Sequence, residues 1–456
     1  MKIQYYFFII FICIFSGCTK VKIDKEFSRI KKSAQKLTDL DVTYEQSVCN
    51  RFDLDQGYKD QLAHGITRSE AVGIALKNNP ELQAYFDNLG VAKADLVEAG
   101  LYTNPRVESV FVFPIKKALV ESRTEIEAAA SFRISDLWVV PLTKKVAADL
   151  LEVMTLKILS KILDIVKEVS MVYDDCLYSQ ELLKNANDSL KQVKAFKNEL
   201  SYRKNYGYTS DFEEYITDVS IGDFELDRID AQRHLTSSFI HLKKLLGLDQ
   251  EEYRIVTIED FYSTSQIPNV NVLEYTALQN RPEIQVAQMK IKQYEHTVSL
   301  EKASVWDDVN LGVAYSRDFE KPYRGIGAYL SLSIPIFNDN HAKIARAEYL
   351  LRQSTKELSA QLVKIKEEIH LHTSALAALQ EELSIFSNQL IPAHQKAMNW
   401  ADKYSAQMQV TMLVPIQAKI DFYRTRKRLI GTQREYLSNY AQLERALGRK
   451  LIDVEK

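Results

Sequence analysis

Three groups of side chains in this 456-residue sequence have the types and spacing to do chemistry. Glu108, Glu125 and Glu127 stand in segments where apolar and polar residues alternate. On one wet face they would favour cations; they also fit the plain solvated side of a strand. His370 and His372 offer imidazoles, but positions two apart on a helix face different ways, and His372 falls on an apolar seam. Met408 and Met412 are four apart, and two thioethers at that spacing suit a thiophilic metal ion; methionines at helical spacing also serve as packing. No nucleophile–base pair, glycine-rich phosphate loop or metal-spaced Cys/His cluster accompanies them, so neither an enzyme nor a cofactor or metal site is expected. A formal charge of −2 leaves no footprint for nucleic acid.

The cysteines divide by context. Lys2 and the apolar run from Tyr5 to Phe15 read as a secretion signal, since a bilayer span needs about 20 apolar residues. Phe15-Ser16-Gly17-Cys18 then resembles a bacterial lipobox, with Phe where Leu is usual. Cleavage before Cys18 would make 1–17 a lipoprotein signal peptide and leave the Cys18 thiol to be lipidated. Thr19, rather than Asp, follows, which resembles an outer-membrane destination. Residues 18–65 read as a polar, irregular tether. Cys49 and Cys176 could pair in an oxidising compartment, but Cys176 lies on an apolar helix seam, where a buried free thiol is expected.

The elements around these residues come twice. Asn79-Pro80-Glu81-Leu82-Gln83 returns as Arg281-Pro282-Glu283-Ile284-Gln285, and the helix end at Gly247 returns at Gly448, 201 residues later. Such repeats govern the whole fold. Four segments alternate with period 2. Val107, Ser109, Phe111 and Phe113 share one face; so do Ile126, Ala128, Ala130, Phe132 and Ile134. Val309, Leu311, Val313 and Tyr315 follow, then Ile326, Ala328, Leu330, Leu332, Ile334 and Ile336. The opposite faces are small or polar and carry Glu108, Glu125 and Glu127. Such strands suit lipid on one side and water on the other, or a half-buried sheet in a soluble domain. Four strands cannot close a membrane barrel, which needs about eight, so the lipid reading requires several copies.

Between the strands run very long helices. Ile158, Ile162, Ile165, Val169, Val172 and Cys176 form a heptad seam, with Leu156, Leu159, Leu163, Val166, Tyr173 and Leu177 beside it. Leu358, Leu362, Ile365, Ile369, His372, Leu376, Leu379, Leu383, Phe386 and Leu390 repeat the pattern. Some sixty residues of helix reach roughly 90–100 Å. Each long helix turns back at a tip, marked by Gly207 in the first repeat and by Gln407, in register with it, in the second. The expected organisation is a first repeat over 66–248, with strands at about 105–114 and 124–136 and a helical hairpin at about 141–248. A linker spans 249–270. The second repeat covers 271–450, with strands at about 307–317 and 325–337 and a hairpin at about 340–448; 451–456 is a tail.

The ordered set Thr67-Arg68-Ser69-Glu70-Ala71-Val72, Ala75-Leu76-Lys77-Asn78-Asn79-Pro80-Glu81-Leu82, Ala99-Gly100-Leu101-Tyr102-Thr103-Asn104-Pro105, Ser333-Ile334-Pro335-Ile336-Phe337-Asn338 and Leu390-Ile391-Pro392-Ala393 resembles the TolC-type outer membrane factors. The resemblance covers residues 66–450. It implies an α+β membrane protein: a homotrimer whose twelve-stranded transmembrane β-barrel, four strands per chain, continues as a long α-helical periplasmic barrel. It further implies an exit duct served by a periplasmic adaptor and an inner-membrane pump, embedded in outer membrane lipid. The stretch around Ala99–Pro105 is most similar to the branch that exports heavy-metal cations. Members of the family often carry Asp rings six and nine positions past the second tip residue. Counted from Gln407, those positions are Leu413 and Ile416, so the expected periplasmic gate is apolar and closes by dewetting; as seam residues both would instead point into the hairpin. A type I protein-secretion exit, and a coiled-coil lipoprotein without a pore, are the alternative functions.

Overall fold

The computed structural model describes residues 21–44, 62, 64–113, 124–248, 257, 267–319 and 323–451. Its elements run α1 (Asp24–Thr38), α2 (Arg68–Asn78), α3 (Pro80–Glu98), β1 (Arg106–Val112), β2 (Glu125–Arg133), α4 (Asp136–Lys204) and α5 (Asp211–Leu246). The second half repeats the order: α6 (Val270–Asn280), α7 (Pro282–Ala303), β3 (Val309–Asp318), β4 (Arg324–Leu332), α8 (His341–Ile385), a π turn (Phe386–Leu390), α9 (Ile391–Ala406) and α10 (Leu413–Leu447). No described helix is long and apolar enough to cross a membrane. The chain divides into two compact units. One holds Tyr85–Lys157 and Glu283–Gln361 with the chain up to Arg29; the other holds Ile30–Ala84, Ile158–Pro282 and Leu362–Lys456.

The first unit is built on an antiparallel sheet in the order β1-β2-β3-β4. The strands are shorter than the alternation suggested, and local bonding explains where they stop. β2 ends at Arg133 because the N–H groups of Ile134 and Ser135 both turn to the carbonyl of Val309. Ser135 Oγ then donates to Asp307 O at 2.6 Å, and Asp136, expected in the strand, begins α4. β4 ends at Leu332 rather than near Phe337: Ser333 makes the last ladder bond, and Pro335 has no N–H to offer. Asn340 turns the chain into α8 at φ 63°, held by its amide to Glu301 O at 2.7 Å. In the same unit Asp149 is buried on α4 and meets His296 Nδ1 of α7 at 2.5 Å and Lys292 Nζ at 3.6 Å.

The second unit is helical. Each Pro of the repeated motif starts a helix, and the residue before it is extended: Asn79 has φ −65°, ψ 118° and Arg281 φ −70°, ψ 119°. Asn78 and Asn79 then lock the end of α5. Asn78 Nδ2 donates to Leu246 O at 2.9 Å, and Asn79 Nδ2 to Leu245 O at 2.8 Å. Both hairpins end in a left-handed glycine, Gly247 and Gly448. The first heptad seam of α4 is buried at Ile158, Ile162, Ile165, Val169 and Cys176, and the second at Leu159, Leu163, Tyr173 and Leu177. On α8, Ile365, Ile369, Leu376, Leu379, Leu383 and Phe386 are buried likewise.

The region expected to be an irregular tether contains an ordered helix. On α1, Ile30, Ala34 and Thr38 recur every fourth residue and are fully or nearly buried, as are Ile23 before it and Val42 after it. That spacing gives one buried stripe, which polarity averaged over 18–65 conceals. Leu451, placed in the tail, is also buried, its N–H bound to Glu444 at 3.0 Å. Residues 1–20, with the signal segment and Cys18, lie outside the described residues, as do Cys49 and most of the linker.

Candidate channel-forming sheet and hairpin tips

Register decides which side chains share a face. Val107 lies opposite Ala130, Ser109 opposite Ala128 and Phe111 opposite Ile126. Ala130 pairs with Val313 and Phe132 with Leu311; Leu311 pairs with Leu330 and Tyr315 with Ile326. The apolar sets of all four strands therefore fall on one face, with Val107, Phe111, Phe132, Val313, Ile326 and Leu330 exposed in the single chain. The other face joins Glu108 to Ala129, Val110 to Glu127, Glu127 to Ser316 and Glu125 to Asp318. Glu108, Glu125 and Glu127 thus share the polar face. Glu108 and Glu127 line one depression with Ser316, and Glu125 accepts from Ser316 Oγ at 2.9 Å.

Acids are not alone there. Arg106 and Arg133 stand on the same face, Arg106 at 3.6 Å from Glu108, and both line a second depression with Asp307, Asp308 and Asn310. The face is mixed in charge, which weakens any preference for cations drawn from the acids by themselves. Sequence reading also passed over Tyr329. Its ring covers Gly312, where a Cβ would come within 2.5 Å of the ring atoms. An aromatic laid over a cross-strand glycine is a device that pins register; the signal, Gly opposite Tyr, becomes visible only once the pairing is known.

The tips differ from expectation in one position. Gly207 takes φ 76°, but in the second hairpin the left-handed residue is Met408, at φ 55°, while Gln407 has φ −85°. Met408 is 201 residues after Gly207, the same offset as between Gly247 and Gly448. Gln407 instead closes α9, its N–H returning to the carbonyls of Lys403 and Ser405.

Placing the gate at Ile416 is corrected by its packing. Ile416 is 1% exposed and sits in an apolar cluster with Val193, Phe196, Leu200, Phe224, Met412, Ile420 and Tyr423. It faces into the hairpins, as its heptad position allows. Leu413, at the start of α10, is only half-buried. The methionine pair is also split: Met408 is 63% exposed, whereas Met412 is buried with Ser405 Oγ 3.1 Å from its sulfur. His370 Nε2 meets Glu274 at 2.7 Å and His372 Nδ1 meets Asn439 at 3.0 Å, so the two imidazoles serve different neighbours. Among the described residues no three His, Cys, Asp or Glu side chains are placed to hold a metal ion.

This fold occurs in solved channels. The chain is similar to CusC, with a TM-score of 0.72 and 17% identity over 90% of this chain and 99% of that one. It is similar to the outer-membrane channel OprN, with a TM-score of 0.73 and 15% identity over 95% and 97%. The Campylobacter jejuni CmeC outer membrane channel matches with a TM-score of 0.72 and 15% identity over 89% and 90%. No curated protein matches the sequence. Residues 273–449, the second repeat, match the family described as outer membrane efflux protein. The second half therefore carries a match to that family, and the likeness in fold to solved channels extends over both repeats.

Proposed function

We propose that this protein is the exit duct of a tripartite efflux pump. It would conduct small solutes passively across the outer membrane, with energy supplied by an inner-membrane pump and relayed through a periplasmic adaptor. The observation that carries this reading is the sheet: four strands in order, one face apolar, the other polar, both outer edges unpaired among the described residues. Unpaired strand edges are not tolerated in lipid, so β1 of one copy must pair with β4 of the next. Three copies would supply twelve strands, with Phe111, Phe132, Val313 and Leu330 toward lipid and Glu108, Glu125 and Glu127 toward the lumen. The family match and the likeness to CusC, OprN and CmeC support the same reading. Lipidation of Cys18 would anchor each mature chain in the outer membrane, and the helical hairpins would stand in the periplasm.

Leu413 is the residue of the expected gate that remains available to a constriction. The mixed polar face argues for a duct with little charge selection, so metal ions and drugs remain equally suited as substrates. Reconstitution into planar bilayers tests the proposal. Purified protein should run as a trimer in detergent and give discrete conductance steps. A monomer that stays soluble without detergent and gives no conductance would refute it. A deletion strain exposed to metal ions, dyes, detergents and antibiotics would then identify the substrate class.

A further inference from the structure

The apolar face of the sheet is broken at one level. The register sets Phe111, Ile126, Arg317 and Arg324 in a single row across the four strands. Every other row on that face, down to Val309 opposite Leu332, is free of charge. Arg317 and Arg324 are thus the two charges on the side assigned to lipid, and they stand directly opposite each other. The Asp318 N–H donates to Tyr323 O at 3.3 Å. The next pair inward is therefore the close, non-hydrogen-bonded kind, with Cα atoms about 4.5 Å apart.

Like charges placed this way repel. The acids nearest in register, Glu125 and Asp318, pair on the opposite face. Among the described residues no ion pair joins either guanidinium to a carboxylate. Arg317 lies over the ring of Phe319, 4.6 Å from its centroid, and Arg324 is exposed.

Position along the strands says what could relieve the pair. Both hairpin connections, β1 to β2 and β3 to β4, lie at the arginine end; α3, α4, α7 and α8 join the strands at the other. With the helical hairpins in the periplasm, as proposed above, the arginine row reaches the outer leaflet. From Val309 to Arg317 the strand advances eight residues, about 26 Å along its length or roughly 20 Å of height once tilted. An apolar band of about 25 Å is usual for such barrels, so the charges stand at its edge, at headgroup level. Phe319 and Tyr323 flank them and are exposed, as aromatics are at a membrane interface.

We infer that Arg317 and Arg324 clamp the phosphate of a lipid headgroup in the outer leaflet. Guanidinium groups bond phosphate oxygens bidentately, and a phosphate between the two turns their repulsion into attraction. The row at the opposite boundary, Val309 and Leu332, carries no cation, so the clamp serves one leaflet. The inference rests on the barrel reading above.

The test follows thermal unfolding of the full chain in non-ionic detergent. Three probes are added separately: lipid A with both phosphates, lipid A stripped of phosphate, and inorganic phosphate. The phosphorylated lipid should raise the midpoint. The concentration required should increase about tenfold or more in the double variant Arg317→Gln with Arg324→Gln, because each lost charge-assisted bond is worth that much. Arg317→Lys with Arg324→Lys keeps both charges and should weaken the response less. Both double variants should conduct in planar bilayers as the parent does, which shows them folded. An equal shift from the stripped lipid, or equal responses of parent and glutamine variant, overturns the clamp. An equal shift from inorganic phosphate does so too, since the pair would then be a plain anion site. Any of these in a trimeric, conducting protein leaves the duct reading standing; a monomeric protein without conductance removes both.

Discussion

The two helical hairpins descend from one pattern, yet they are built to different tolerances. In the first, α4 runs 69 residues without interruption, the tip turns on a glycine, and α5 opens with a capping box in which Ser210 and Glu213 bond each other's backbone N–H. In the second, α8 breaks at the π turn Phe386–Leu390 just before Pro392, the tip turns on Met408, and α10 opens without a side-chain cap. Gly431 on α10 lies level with the π turn, bracketed by the pairs His394–Thr425 and Gln380–Tyr436. π turns and Pro are places where helices bend, and Gly loosens the helix facing them. The repeat fold is therefore kept by both halves; the first has Pro141 near the start of α4 and Gly222 within α5, but the second sets a π turn, a Pro and a facing Gly at one level. The second hairpin is the one equipped to flex.

Mutations can break that contrast, beginning where the effect is largest. Ile416→Ala should cost about 2–5 kcal/mol, as expected for a buried Ile truncated in a packed cluster, read as a loss of thermal stability. Leu413→Ala should cost about 1 kcal/mol or less and alter conductance instead; equal losses of stability at both positions would place both in the core. Gly247→Ala should be worse than Gly448→Ala. Both residues are left-handed, which costs roughly 1–2 kcal/mol for a residue with a Cβ. At Gly247 the new Cβ would also meet Asn78 O at 2.4 Å, against 3.2 Å from Asn280 O at Gly448. Paired thermal melts of the two variants decide it.

Smaller effects sharpen the picture at the tips. Met408→Gly should stabilise by about 1 kcal/mol and Gly207→Ala should destabilise by about the same; chemical denaturation of each variant would show opposite shifts. Amide exchange should be faster over 386–392 than over the matching positions 185–191 in α4, and equal protection would remove the case for a hinge.

Acid should also find the second repeat first. Hydrogen bonds from His370 and Lys366 hold the Glu274 carboxyl below its ordinary value of 4.5. A depressed carboxylate contributes stability above its unfolded pKa and loses it as pH falls through the folded one. The equivalent position in the first repeat is Val72, which is buried and has no charge to lose. Exchange of α6 should therefore rise before that of α2 as pH drops below about 4.5. At the other extreme, burial pushes the Cys176 thiol up to about 12, against the partial relief of a hydrogen bond from Ser238. Cys176 should resist alkylation in the folded protein at pH 8, and any stability it lends should be lost as pH climbs from about 9 toward 12.

Much of this was legible in periodicity. The alternation of Ile126, Ala128, Ala130 and Phe132, the 4-3 spacing from Ile158 to Cys176 and the repeated Pro80 and Pro282 are local patterns, and each gives its element directly because period 2 and period 3.6 cannot be confused over ten residues or more. Termini were less legible. Nothing in Ile134 or Ile336 signals that the ladder has already ended, since the cause lies in Val309, Asp307 and a missing proline N–H. Leu413 and Ile416 show the limit most plainly. A helix seam tells that a residue is apolar and on a face, but whether the face meets α4 or a pore is decided by what stands opposite.

From the residues in order came the two repeats, the strands with one apolar face and the long helices. Local steric and hydrogen-bonding rules suffice for these, because they act between positions a few residues apart. The tertiary structure alone decided which acids share a face with arginines, that Met408 rather than Gln407 bears the turn, that α1 is docked, and that Arg317 meets Arg324 on the apolar face. Those outcomes depend on partners brought from hundreds of residues away, and no local pattern encodes the identity of a distant neighbour.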